Sequence, residues 1–321
     1  MREGTVLRSR GGVYTVVLDD GDRIEATLRG RLKRGGPKGG KDRGGKEERD
    51  IEDRVVIGDR VVVEESSDSA FTVEEVLHRE SEIVRRAAGG RGGKVVAANV
   101  DRIIAVVAAA RPDPTRETVD RLLLIAEAND VDGVLVVNKM DLEEGRDRGR
   151  ELAEAYGKLG YEVLTASAVT GEGMAELSRI LCRGTSALLG PSGAGKSSLL
   201  NRIEPELELR IGELSRRPGR GRHTTVSARL IELPCGGWVA DTPGFSDVGL
   251  WGVEPESLDR CFPDFHPHLT ECRFRGCAHL EEPGCGVKRA VEAGEVSPDR
   301  YESYRRIREE AAEASAPPWQ R

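Results

Sequence analysis

Three shortages narrow the class of this chain before any motif is read. No stretch of its 321 residues approaches the roughly 18 consecutive apolar positions that a membrane span needs, and the opening MREGTVLRSR lacks the apolar core of a secretory leader. A cytoplasmic protein with no membrane partner is therefore expected. Aromatic residues make up only 4% and hydrophobic residues 38%, against 33% charged, a balance that gives modest cores under a heavily charged surface. A surplus of positive charge is also missing. With a formal net charge of -7, any contact with nucleic acid has to come from a local patch.

Such a patch is present. From Leu28 to Lys46 the chain places Arg29, Arg31, Lys33, Arg34, Lys38, Lys41, Arg43 and Lys46 against the single acid Asp42. Of the six cysteines, Cys182, Cys235 and Cys261 are scattered, while Cys272, Cys277 and Cys285 crowd beside His279. That distribution favours a metal site in a reducing compartment over a disulfide framework.

The length leaves room for two or three domains, each with its own core. Short strand patterns at Gly4–Leu7, Val13–Leu18, Arg23–Leu28, Arg54–Ile57, Arg60–Glu64 and Phe71–Leu77, broken by Gly-Gly and Asp-Asp-Gly turns, predict an all-β, OB-like barrel over residues 1–79. The run RGGPKGGKDRGGK between its third and fourth strands is expected to be mobile in isolation. Polar residues 80–94, ending in GGRGGK, read as a linker. Over 95–255, apolar β-branched runs at Asp101–Ala110 and Gly133–Asn138 alternate with helical patterns at Thr118–Asn129, Glu151–Leu159 and Met174–Leu181, which means an α/β domain with a mostly parallel sheet. Residues 256–321 turn to Pro, Cys and His, then to two helices, the last capped at Ser297-Pro298. They read as a small, α-rich, zinc-binding domain.

Gly190, Pro191, Ser192, Gly193, Ala194, Gly195, Lys196 and Ser197 fit the P-loop pattern at every fixed position, and Ser198 opens the helical run behind it. Glycines let backbone N–H groups turn to the β-phosphate, Lys196 reaches the β and γ oxygens, and the Ser197 hydroxyl takes Mg²⁺. Asp241-Thr-Pro-Gly244 follows the strand Trp238–Ala240; Asp241 would hold Mg²⁺ through a water and the Gly244 N–H would meet the γ-phosphate. Base choice rests on Asn138, Lys139, Met140 and Asp141. The Asp141 carboxylate can accept from N1–H and the exocyclic amine of guanine, donors that adenine lacks. Asn138 would brace the loop and the purine edge, and the Lys139 stem would lie along the ring. Ser167 and Ala168, one strand later, match the segment whose backbone N–H meets the guanine oxygen.

The base motif precedes the P-loop, the reverse of the ordinary order, so the P-loop GTPase domain is circularly permuted. Permutation is tolerable because domain termini often lie close together on the surface. With the OB-like start, the lead-in Ala98-Asn-Val-Asp101, the rotated motifs, the segment Gly221-Arg-His-Thr-Thr225 and the cysteine cluster, the chain resembles the RsgA (YjeQ) family of circularly permuted, ribosome-associated GTPases over essentially its whole length. The resemblance implies an OB barrel, a permuted GTPase domain and a zinc domain, and a role in late maturation of the small ribosomal subunit, which stimulates hydrolysis.

Many GTPases place a Gln directly after Asp-x-x-Gly to orient the attacking water; here that residue is Phe245. His223 is the candidate replacement, against the alternative of a solvent-exposed loop histidine. Thr224 or Thr225 should coordinate Mg²⁺ in the GTP state, with Thr225 favoured, and Arg216, Arg217, Arg220 and Arg222 make this segment basic. Cys272, Cys277, His279 and Cys285 supply three thiolates and one imidazole, a closed set suited to structural Zn²⁺; His266 and His268 are weaker competitors. Loss of the γ-phosphate is expected to move this domain relative to the barrel.

The leading reading is a monomeric GTPase acting on the small ribosomal subunit and its rRNA, with GTP and GDP as ligands. Residues 1–78 contain only Tyr14 and Phe71 as aromatics, so RNA affinity should be phosphate-dominated and salt-dependent. Two other readings stay open: a nucleotide-dependent binding switch whose hydrolysis is incidental, and a GTPase acting on protein or membrane partners.

Overall fold

A computed structural model of the chain describes residues 1–29, 55–66, 69–86, 93–207, 209, 228–241 and 253–315. Alternating burial builds the first domain. The strands β1 (Arg2–Arg10), β2 (Val13–Leu18), β3 (Arg23–Leu28), β4 (Arg60–Glu65) and β5 (Phe71–Val76) turn Val6, Val16, Ala26, Val61, Val63 and Val73 into a common core. Their order is β1-β2-β3-β5-β4, with β4 returning to pair with β1, and only β3 and β5 run parallel. This is the OB-like barrel, closed so that its strands shield one another's edges. Tyr14 is buried in the barrel core and Phe71 packs against it, so both rings are spent on packing.

Two expectations fail at the barrel's exit. Residues 55–57, taken as part of a strand at Arg54–Ile57, make only an isolated bridge from Ile57 to Ala97. Val55 joins the barrel core, Val56 a small cluster with Val95, and Ile57 the core of the next domain. A regular strand cannot send three successive side chains to three places. The supposed linker at 80–94 holds β6 (Glu82–Arg86) and the start of β7 (Gly93–Ala98), paired antiparallel. Ile83 is buried there, and Arg79 bridges Asp59 at 2.6 Å and Glu82 at 2.9 Å. The apolar positions were hidden among charges, and the junction is packed instead of loose.

The second domain alternates strands and helices: β8 (Arg102–Ala108), α1 (Arg116–Ala128), β9 (Asp132–Asn138), α2 (Glu143–Lys158), β10 (Glu162–Thr165), α3 (Met174–Leu181), β11 (Thr185–Leu189), α4 (Lys196–Ile203), β12 (Arg229–Glu232) and β13 (Trp238–Asp241). The sheet order is β10-β9-β8-β11-β13-β12. All neighbours are parallel except β12, which runs antiparallel to β13. Central β8 is apolar from Ile103 onward because both of its faces are covered. Ile103, Ala105 and Val107 pack with α1 and α2, whereas Ile104 and Val106 pack with α3 and α4. At its outer edge β12 pairs with barrel strand β1 through Arg8 and Arg229, so one sheet runs from the nucleotide motifs into the barrel.

Two short 3-10 turns, Pro255–Cys261 and Pro263–Phe265, lead into α5 (His266–Leu269), α6 (Gly286–Ala293) and α7 (Pro298–Ser315). Phe262, Phe265, Val287, Tyr304 and Ile307 form their core, which reaches Leu124 of α1. Phe262 and Phe265 stack at 5.1 Å, and Tyr304 meets both rings. The buried Arg300 guanidinium bonds Asp120 of α1, reaches Asp264 at 3.2 Å and lies 4.4 Å from the Phe262 ring centre. The last helix therefore packs on both the metal-binding core and α1.

The reading of Cys182 and Cys235 as scattered thiols is overturned: the two form a disulfide, with Cα atoms 5.3 Å apart. Cys182 caps α3 and Cys235 lies in the turn between β12 and β13. The parallel register of Thr185 on Trp238 brings these distant positions together. Among the described residues, no helix is long and apolar enough to cross a membrane.

Candidate nucleotide and metal sites

Parallel strands deliver their motifs to one edge of the sheet, where α/β proteins bind ligands. The P-loop follows β11, the base motif follows β9, and Asp241 ends β13. Lys196 is the first residue of α4 and is almost wholly buried. Its Nζ donates to the carbonyls of Gly190 at 2.6 Å and Pro191 at 3.2 Å, within the loop that would surround a phosphate. Ser197 is buried beside it, and Ala194 lies in the core against Leu199 and Leu200.

The base motif and the P-loop are one construction. Asn138 is buried; its amide donates to the Ala194 carbonyl at 2.9 Å, and its carbonyl oxygen accepts from the Ala168 N–H at 3.3 Å. Gly195, at φ +97°, has no room for a Cβ because that atom would strike the Asn138 amide. Asp141 is held by Ser167, whose Oγ donates to Oδ1 at 2.5 Å while accepting from the N–H groups of Val169 and Thr170. Lys139 takes a left-handed turn at φ +64° and its ammonium bonds the Arg111 carbonyl. Met140 points inward, buried in the core, so its side chain packs the motif from below. Asn138, Ser167 and Ala168 thus brace one another, and Asp141 is the carboxylate they present.

Asp241 is mostly covered, and its Oδ2 accepts from Arg229 Nε at 3.0 Å across the β12–β13 ladder. His223, Thr224, Thr225, Gly244, Phe245 and the four switch arginines lie outside the described residues, as do the basic residues from Arg31 to Lys46.

In the third domain Cys272, Cys277, His279 and Cys285 bring their ligand atoms within 4.8 Å of one another. The His279 Nδ1 faces Cys285 at 3.3 Å and Cys272 at 3.6 Å, while Nε2 lies 3.4 Å from the Asp259 carboxylate. Tyr301 and Tyr304 donate to the carbonyls of His279 and Ala278. His266 and His268 are engaged elsewhere, with the Arg260 carbonyl at 2.8 Å and with Glu295 at 3.7 Å. Burial pushes the Cys277 thiol up to about 12 and also raises Cys285, with Cys285 and Cys272 adding to the first and Cys272 to the second. Cys277 and Cys285, crowded by a third sulfur and an imidazole, can ionise together only around a cation, so the donor set fits a metal ion.

A family model described as RsgA GTPase matches residues 76–251. The chain belongs to the RsgA GTPase family. A protein of Gemmatimonas aurantiaca described as small ribosomal subunit biogenesis GTPase RsgA is 44% identical over 310 residues, 96% of each chain, and one of Moorella thermoacetica is 41% identical over 94% of each. The crystal structure of YjeQ from Thermotoga maritima superposes with a TM-score of 0.76 at 35% identity, covering 97% of this chain and 98% of that one. YloQ, described as a circularly permuted GTPase, gives 0.71 at 30% identity, with 98% and 96% covered.

As an RsgA GTPase the chain hydrolyses GTP, and its sites hold two features that the sequence reading did not contain. Asp259, 20 residues before His279, orients the imidazole through the nitrogen that faces away from the metal position. Arg229 stands on Asp241, in a four-residue strand too short to show a pattern. Burial also has a consequence for the P-loop, since it lowers Lys196 to about 8. A phosphate bound in this loop would need the lysine charged, so above pH 8 its binding would also take up a proton. Nucleotide affinity is expected to fall as pH rises from 8 to 9, by up to about tenfold. Fluorescent-GDP titrations between pH 7 and 9 check this; a flat profile would contradict it.

Proposed function

We propose that this GTPase assists late maturation of the small ribosomal subunit, hydrolysing GTP slowly alone and fast on the subunit, and that it acts as a monomer in the cytoplasm. The observation that supports this most strongly is the mutual bracing of base motif and P-loop through Asn138 and Ala194, in a chain matching small ribosomal subunit biogenesis GTPases over 96% of both lengths. In this reading Asp141 selects guanine, and the Ser167-Ala168 turn lies at its carbonyl edge. Lys196 and the P-loop N–H groups between Gly190 and Ser198, of which Pro191 has none, hold the phosphates. Ser197, Thr225 and Asp241 would hold Mg²⁺, which would supply charge neutralisation for the phosphates. Gly244 senses the γ-phosphate and His223 orients the water that Phe245 cannot. Zn²⁺ is the metal assigned to Cys272, Cys277, His279 and Cys285, because a closed Cys₃His set leaves no position for substrate. With Tyr14 and Phe71 spent on the barrel core, RNA contact rests on phosphates and basic residues.

Measuring GTP turnover with and without purified small subunits tests the whole reading. Stimulation on the order of tenfold or more is expected. No stimulation, with nucleotide-dependent binding intact, would favour a switch whose hydrolysis is incidental; neither binding nor stimulation would reject the ribosomal role.

A further inference from the structure

Asp241 is not presented to the nucleotide site as a bare anion. Three residues form one row across three strands: Arg8 on β1 pairs with Arg229 on β12, and Arg229 pairs with Asp241 on β13. Paired residues of antiparallel strands share a face, and the Arg229 Nε donates to Asp241 Oδ2 at 3.0 Å. The carboxylate is 15% exposed and the arginine 37%, so the pair is shielded on the acid's side and open on the other.

We propose that Arg229 is a positioning residue that competes with Mg²⁺ for the charge of Asp241, and that loading of Mg²⁺ with nucleotide loosens this pair. The proposal rests on the reading of Asp241 as the Mg²⁺ partner. A carboxylate has lone pairs enough for both a guanidinium and a metal-bound water, so the competition is electrostatic and not steric. An ion pair has no net charge, and its field falls off faster than that of a lone carboxylate. A dication at the P-loop therefore meets a weakened acid and, behind it, a like charge. Lying at the one position where, among the described residues, β12 pairs with barrel strand β1, Arg229 carries this change to the seam between nucleotide site and barrel.

The test is a set of Mg²⁺ titrations of fluorescent-GDP binding with Arg229→Gln, Arg229→Lys and Asp241→Asn in the full chain. Arg229→Gln is expected to lower the Mg²⁺ midpoint about tenfold, discounted for the exposed side of the pair. Affinity without Mg²⁺ stays unchanged, and Arg229→Lys, which keeps the charge, stays near the parent. A midpoint that Arg229→Gln leaves in place, or raises, overturns the proposal. Asp241→Asn separates the two layers: if it leaves the midpoint unmoved, the reading of Asp241 as Mg²⁺ partner is what fails. Should Arg229→Gln not fold, the parent protein answers through the Arg229 Nε–H resonance, assigned with Arg229→Lys. Its protection is expected to fall when Mg²⁺ and nucleotide are added, and an unchanged resonance overturns the proposal.

Discussion

Asp141→Asn is expected to weaken GTP binding by about 10³-fold or more and to confer binding of xanthine nucleotides in exchange. The carboxylate is fixed at 2.5 Å by the Ser167 hydroxyl, which in turn accepts from the Val169 and Thr170 amides. An amide in the same place turns one acceptor into a donor facing the exocyclic amine of guanine, and two buried donors are left unpaired. Xanthine carries a carbonyl where guanine carries that amine and restores the match. Calorimetry with GDP and its xanthine counterpart checks both halves. GDP affinity within about twofold of the parent would remove Asp141 from the base site, since losing even one hydrogen bond to a charged group costs more than that.

Cys277→Ser is expected to have the largest effect on stability. Structural zinc contributes about 10 kcal/mol or more in small domains, in addition to the core around Phe262, Phe265 and Tyr304. Without the ion, burial keeps the Cys277 and Cys285 thiols protonated, and the Tyr301 and Tyr304 hydroxyls lose the carbonyls on which they rest. Elemental analysis should fall from one zinc per chain to nearly none, and hydrogen exchange over 266–296 should rise sharply. Nucleotide affinity should hold, because the P-loop packs in a separate core. Well under one zinc per chain in the parent, purified without chelator, would refute the site.

What could be read in advance follows from range. The P-loop, the Asn138–Asp141 turn and the Cys₃His spacing are local patterns whose chemistry fixes their conformation, and α3 stands at its expected Met174–Leu181 limits. Helix α2 begins at Glu143, eight residues before the pattern announces it, because Gly145 and Gly149 interrupt the apolar period. Those glycines are there for packing: a Cβ at Gly145 would strike the Ala109 carbonyl. The hairpin of β6 and β7 was hidden because its few apolar positions stand among charges and glycines, and the remaining surprises join distant residues. Cys182 meets Cys235 across 53 positions and Arg300 meets Asp120 across 180, partnerships that no window of sequence displays.

The sheet order has a consequence for how the molecule is made. A chain emerging from its N-terminus completes β8, β9 and β10 first, yet β8 must wait for β11 to cover its other edge, and β11 for β13. Until residues 185–189 are synthesised, the most apolar strand of the domain stands with one side unpaired, the kind of edge that invites wrong partners. The barrel is already whole by then, except that β1 awaits Arg229. Permutation, which placed the base motif ahead of the phosphate loop, therefore also sets a birth order in which Asn138 cannot be braced until Ala194, 56 residues later, has been made.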